Sequence, residues 1–157
     1  MRDRLILLPG WGLGVSPLEP LAAALRGLDE HLRVDIEPLP ALAGSDLDEW
    51  LDELDATLPD NAWLGGWSLG GMLASELAAR RGERCCGLLT LASNPCFVAH
   101  EGWPSAMQAQ TFDAFLAGCH AEQHESHVGD GRVGQHALDV CLRDGGKIAQ
   151  GHRQHGE

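Results

Sequence analysis

One serine in the chain stands in a setting that makes nucleophiles: Ser68, within Gly66-Trp67-Ser68-Leu69-Gly70. The G-x-S-x-G spacing is a weak signal by itself in a chain with 20 glycines. Its context strengthens it. Ala62-Trp63-Leu64-Gly65 reads as a strand and Leu69 to Arg80 as a small-residue helix, so the serine is predicted at a strand-to-helix turn, as in a nucleophile elbow. There the hydroxyl projects above the sheet, and glycines on both sides remove side chains that would strike nearby backbone. The N–H of Leu69, at the start of the helix, would face an oxyanion forming on a substrate carbonyl. A second donor is expected from the loop Leu8-Pro9-Gly10-Trp11-Gly12, where the Trp11 N–H is the natural candidate. Plainer alternatives exist for both: a glycine-rich turn can be purely structural, and Trp11 can be a packing aromatic.

Metal chemistry is the other possibility. His120, His124 and His127 recur at i, i+4 and i+7, which would align them on one helix face. The zinc-protease pattern requires glutamate directly after the first histidine, and position 121 is alanine. No metal and no cofactor are expected.

The elements that would position Ser68 follow from hydrophobic patterning. Arg4-Leu5-Ile6-Leu7-Leu8, closed by Pro9-Gly10, reads as a buried strand. Ser16-Pro17-Leu18-Glu19 reads as a helix start, with Ser16 as N-cap and Glu19 completing a capping box. Leu32 to Ile36 alternates as a second strand. Ser45-Asp46 would cap a helix whose Leu47, Trp50, Leu51, Leu54 and Leu58 fall on one face, with carboxylates opposite. Cys86 to Ala92 reads as a further buried strand. Strands alternating with helices at these lengths predict an α/β fold, a mostly parallel sheet with helices on both faces.

Bulk properties narrow the partners. The length of 157 residues allows one domain at most, and ~150 residues suffice to bury about 70% of the unfolded surface. Between Asp29 and Asp60 there are eleven acidic residues and one basic residue, Arg33, within a net charge of −12. Such a stretch repels phosphate backbones and anionic membranes, so neither nucleic acid nor membrane is an expected partner. Its plainest role is a solvated helix face. Five cysteines, odd in number and with Cys85-Cys86 adjacent, suit a reducing cytoplasm better than a disulfide framework. Arg2 and Arg4 precede an apolar run too short for a signal peptide, and no stretch nears the ~20 apolar residues of a membrane span.

After about Phe115 the character changes. Residues 119–157 hold six of the eight histidines and one apolar run, His136 to Leu142. The expected organisation is a core over 1–118, the N-terminal half of its fold, and an atypical tail over 119–157. That tail is expected to be disordered, out of frame or the sequel to a truncation, with natural divergence the alternative.

Pro9-Gly10-Trp11-Gly12, Trp63 to Gly71, Ala92-Ser93-Asn94-Pro95-Cys96-Phe97 and Glu101-Gly102-Trp103-Pro104 occur in that order. Together they resemble the pimeloyl-[acyl-carrier protein] methyl ester esterase family of biotin synthesis, over about residues 3–117. The resemblance implies an α/β-hydrolase core with a helical lid and a serine, aspartate and histidine triad, without a cofactor. It implies Ser68 as nucleophile, backbone contacts from Trp11 and Leu69 to the substrate carbonyl, and Asn94 to Phe97 and Trp103 near the lid base. The implied substrate is a methyl ester on an acyl chain carried by acyl carrier protein, and the protein is expected to be monomeric. Family members usually have histidine where this chain has Pro9, which leaves the backbone donor in place. The triad acid and base belong on late strands. Asp113, Asp130, Asp139 and Asp144 and the tail histidines are available, but none follows a strand as required, so neither role is assigned. The alternatives are a general short-acyl esterase or lactonase, and a non-catalytic truncated pseudoenzyme.

Overall fold

The computed structural model describes residues 3–125 except 13, 42–46 and 95. The chain divides into two compact units, Met1–Ala41 with Asp48–Ser93 and Leu42–Leu47 with Asn94–Glu157. The first contains a four-stranded sheet in the order β2-β1-β3-β4, built from β1 (Arg4–Leu8), β2 (Arg33–Ile36), β3 (Ala62–Trp67) and β4 (Cys85–Leu91). Every neighbouring pair is parallel. Helices α1 (Glu19–Leu28), α2 (Leu47–Thr57) and α3 (Leu69–Arg81) make the crossovers.

Alternation along the strands decides which helix covers which face. Leu5, Leu7 and Val34 form one buried cluster with Leu18 and Ala22, so α1 lies on that face. Gly66, two residues beyond Leu64 and in register with Leu8, faces the backbone of α3, so Ile6, Leu8 and Leu64 point the opposite way. All three are buried. Each fully buried leucine or isoleucine contributes about 1.5–3 kcal/mol.

Helix α1 begins later than the capping box predicts. Ser16–Leu18 form a short 3-10 turn without a side-chain cap, and the α-helix starts at Glu19. Pro20 explains the shift. Were Ser16 the N-cap, Pro20 would be the fourth helical residue, where its missing N–H is needed and its ring clashes with the preceding turn. Starting at Glu19 places Pro20 in the first turn, where neither matters. The predicted cap at Ser45-Asp46 lies outside the described residues.

Strand β4 also departs from expectation. It alternates between partly buried and exposed residues instead of being buried throughout, and among the described residues it pairs only with β3. Leu88 on one face and Trp63 of β3 on the other are each 43% exposed.

The acidic run is not simply solvated. Asp48 and Asp52 of α2 pair with Arg80 of α3, and Asp60 pairs with Arg84. Arg81 has a fully buried side chain and gives its guanidinium to the Asp55 carboxylate at 2.6 Å. It also donates to the backbone carbonyls of Asp55, Leu58 and Pro59 at 3.1, 2.8 and 2.8 Å, closing the C-terminal end of α2. On β2, the edge strand opposite β4, Asp35 accepts from Arg4 and Arg33.

In the second unit, Met107 donates to the Phe97 carbonyl at 3.0 Å and Ala99 to the Met107 carbonyl at 2.8 Å. Helix α4 (Ala109–Glu125) follows and runs on through position 118, with Phe112 buried. The side chains of His120 and His124 lie outside the described residues, as do His127 and the rest of the expected tail, 126–157.

Candidate active site

Strand β3 runs up to Trp67, and the next residue turns the chain into α3. That residue is Ser68, with φ +54° and ψ −119°. A side-chain-bearing residue in such a conformation costs of order 1–3 kcal/mol and persists only where its surroundings impose it. Here they do. The Ser68 N–H donates to the Leu91 carbonyl at the end of β4, at 2.9 Å. The Ser68 carbonyl accepts from the N–H groups of Gly71 and Met72 at 3.1 and 3.2 Å, and from the Ser93 hydroxyl at 2.8 Å.

The glycines of the motif serve close approach. A Cβ on Gly66 would overlap the Gly70 carbonyl group and the Gly71 nitrogen, and one on Gly70 would overlap the carbonyls of Leu8 and Pro9. Neither glycine has a positive φ. With both side chains absent, the first turn of α3 rests directly on the ends of β3 and β1. The loop after β1 is equally close: a Cβ on Gly10 would lie 3.6 Å from the Ser68 Cβ and 3.2 Å from the Trp67 ring. Trp11 is the next residue along this loop, and Leu69 is the first residue of α3. The Leu69 N–H therefore has no carbonyl from a preceding helical turn and stands at the positive end of the helix. Because α1 and α3 leave β1 and β3 for opposite faces, the carboxyl ends of those strands form the topological switch point, the place where open parallel sheets bind ligands.

A thioesterase of prodiginine biosynthesis from Streptomyces coelicolor superposes on 90% of this chain and 63% of its own, with a TM-score of 0.54 and 18% identity. The described residues form the N-terminal part of an α/β-hydrolase fold. No protein-family model matches the chain. Among curated proteins, the pimeloyl-[acyl-carrier protein] methyl ester esterase of Shewanella woodyi is 42% identical over 109 residues, 65% of this chain and 41% of that protein. The enzyme of the same name from Aeromonas salmonicida is 36% identical over 146 residues, 86% of this chain and 56% of its own. The latter match is longer than residues 3–117 provide. The chain spans about half the length of the curated relatives it matches.

An α/β-hydrolase takes its acid and its histidine from positions after the nucleophile. The one histidine of the first unit, His31, does not meet that need. It sits in the exposed turn before β2, at the amino ends of the strands, whereas Ser68 stands at their carboxyl ends. Among the described residues no helix is long and apolar enough to cross a membrane. Sequence reasoning placed Ser68, Leu69 and the Trp11 loop at this end of the sheet but gave no role to Ser93. Its one sequence signal is position: a hydroxyl two residues past the end of the strand that neighbours the serine strand.

Proposed function

We propose that the chain is the nucleophile-bearing part of a serine carboxylesterase, and that its substrate is the methyl ester of a pimeloyl chain on acyl carrier protein. The observation that carries this reading is the strained Ser68, clamped between β3 and α3 where the Leu69 N–H and the loop bearing Trp11 converge. The Ser68 oxygen attacks the ester carbonyl, the Trp11 and Leu69 N–H groups stabilise the oxyanion, and methanol leaves with the serine proton. Water then releases the acid and restores the hydroxyl. No cofactor takes part. The names of the relatives supply the substrate; a cytoplasmic monomer is part of the same reading.

The test is a comparison of two proteins on p-nitrophenyl acetate and on the carrier-linked methyl ester. The chain alone is expected to turn over slowly and to change little with Ser68→Ala, because a serine acting without triad partners keeps only ~10³–10⁴ over water. A chimera joining residues 1–118 to the remaining length of the Aeromonas salmonicida enzyme is expected to be active on both and to lose activity with Ser68→Ala. A folded chimera whose turnover survives that substitution would remove Ser68 from the mechanism. One that cleaves only p-nitrophenyl acetate would leave a general short-acyl esterase.

A further inference from the structure

Ser93 lies outside the motif, 25 residues after Ser68, yet its hydroxyl makes the shortest contact to the Ser68 carbonyl, 2.8 Å. The same oxygen is 3.2 Å from the Leu91 carbonyl. One hydroxyl has one proton to give. The Leu91 carbonyl already accepts the Ser68 N–H at 2.9 Å, so the shorter bond, to Ser68, takes the proton. Ser68 is thus held at both ends, its N–H by the last residue of β4 and its carbonyl by a side chain just beyond. The neighbourhood is shaped for this contact. A Cβ on Gly71 would collide with the Ser93 hydroxyl, and Ala92 takes a φ of +47°, turning the chain sharply between the strand end and Ser93.

The Ser68 carbonyl and the Leu69 N–H belong to one peptide unit. That unit is planar and trans, so the two groups point in opposite directions and cannot turn independently. A hydroxyl that fixes the carbonyl therefore also fixes the line along which the Leu69 N–H points. The Gly71 and Met72 bonds to the same carbonyl come from α3 itself and move with the helix. Ser93 is an anchor from outside it.

We propose that Ser93 is a positioning residue, whose hydroxyl, through the Ser68 carbonyl, aims the Leu69 N–H at the oxyanion and holds Ser68 in its attacking conformation. This rests on the reading of Ser68 as nucleophile. Ser93 itself touches no substrate atom.

The experiment labels the full chain at pH 9 with a short alkyl fluorophosphonate and reads the mass of the peptide that carries Ser68. In this reaction the serine oxygen bonds to phosphorus, fluoride leaves, and solvent hydroxide takes the proton, so no protein base is required. Rates are followed against probe concentration for the unmodified chain, Ser93→Ala, Ser93→Thr and Ser68→Ala, each checked by circular dichroism. Ser93→Ala is expected to slow labelling about tenfold at saturating probe, less than the 10²–10³ lost when an oxyanion donor is removed outright. Its half-saturating concentration should not change, and Ser93→Thr, which keeps the hydroxyl, should recover most of the rate. A purely structural serine would move neither the split between rate and half-saturation nor the ranking of threonine over alanine. Equal rates for Ser93→Ala and the unmodified chain, or threonine no better than alanine, would overturn the role of Ser93 and leave Ser68 standing. Label found elsewhere, with the Ser68 peptide bare, would overturn both.

Discussion

Ser68 and Gly66 show how differently two residues of one motif can depend on their backbone. Ser68 holds a positive φ that glycine would adopt at little cost, whereas Gly66 has ordinary dihedrals but no room for a side chain. Strain at Ser68 predicts an unusual ranking: Ser68→Gly should be more stable than Ser68→Ala by ~1–3 kcal/mol, because alanine keeps the Cβ that makes the conformation costly. In almost any other place glycine would lose. Urea unfolding midpoints of the two variants decide it, and equal midpoints would show the turn is unstrained. At Gly66 the prediction is reversed. Gly66→Ala drives a methyl into fixed backbone and should cost at least the ~1–3 kcal/mol of an overpacked core, read from the same midpoints. Gly27→Ala, on the face of α1 where nothing lies within 4 Å, is the control and should stabilise. The spacing of the motif was readable in the sequence, and with it Ser68 and Leu69. Ser93 was not, because its acceptor is a backbone carbonyl, which leaves no residue-type signature on the distant partner.

At the scale of elements, periodicity located β1–β4 and α1–α3 to within a residue or two, but it missed α4 and could not tell which charges would meet. The eleven acidic residues between 29 and 60 look like a solvated face until α3 and the turn after it bring Arg80, Arg81 and Arg84 alongside. Those partners are 24 to 32 residues away, in a helix and the turn after it that read as ordinary. Likewise the capping box at Ser16 was a sound local pattern overruled by Pro20. Arg81 carries the clearest energetic consequence. Arg81→Met leaves the carbonyls of Asp55, Leu58 and Pro59 without this donor and the Asp55 carboxylate with Arg84 alone. It should cost about 2–4 kcal/mol, judged from the 1.5–3 kcal/mol of one charged hydrogen bond and the 3–5 of a broken buried pair. Arg81→Lys should recover little, since a single ammonium cannot reproduce the fork. The hydrogen bond from Arg81, with a further one from Arg84, holds the Asp55 carboxyl below the ordinary carboxylate range against the opposing effect of its burial. A carboxyl depressed in the folded state adds stability that is present above its unfolded pKa, about 4, and is lost as pH falls through the lower folded value. Unfolding midpoints of the unmodified chain should therefore fall between pH 5 and pH 2.5 by more than those of Arg81→Met. Parallel curves would show that the pair does not govern acid stability.

Across the whole molecule, apolar surface remains open on both faces of the sheet. Trp63 and Leu88 are 43% exposed on opposite sides, and Trp103, Met107 and Phe115 of the second unit are exposed too. Strand edges and faces of this kind attract other hydrophobic groups. The chain should enhance anilinonaphthalene sulfonate fluorescence in native buffer and melt over a broad range. A single sharp calorimetric transition without dye binding would show those surfaces to be covered. The wiring of the elbow also bears on the order of events in folding. Ser68 depends on Leu91 and Ser93, and Gly70 rests on Leu8 and Pro9, so a local turn is held by contacts spanning about a sixth and about two fifths of the chain. Near it in sequence the strained turn has the Gly71 and Met72 hydrogen bonds to its carbonyl, while its N–H and the Ser93 contact depend on distant chain, so it is expected to form late. It should be completed after β1, β3 and β4 have aligned. On a ribosome, a nascent chain therefore exposes Ser68 well before it can hold the turn, whose full set of contacts becomes available only once residue 93 has emerged.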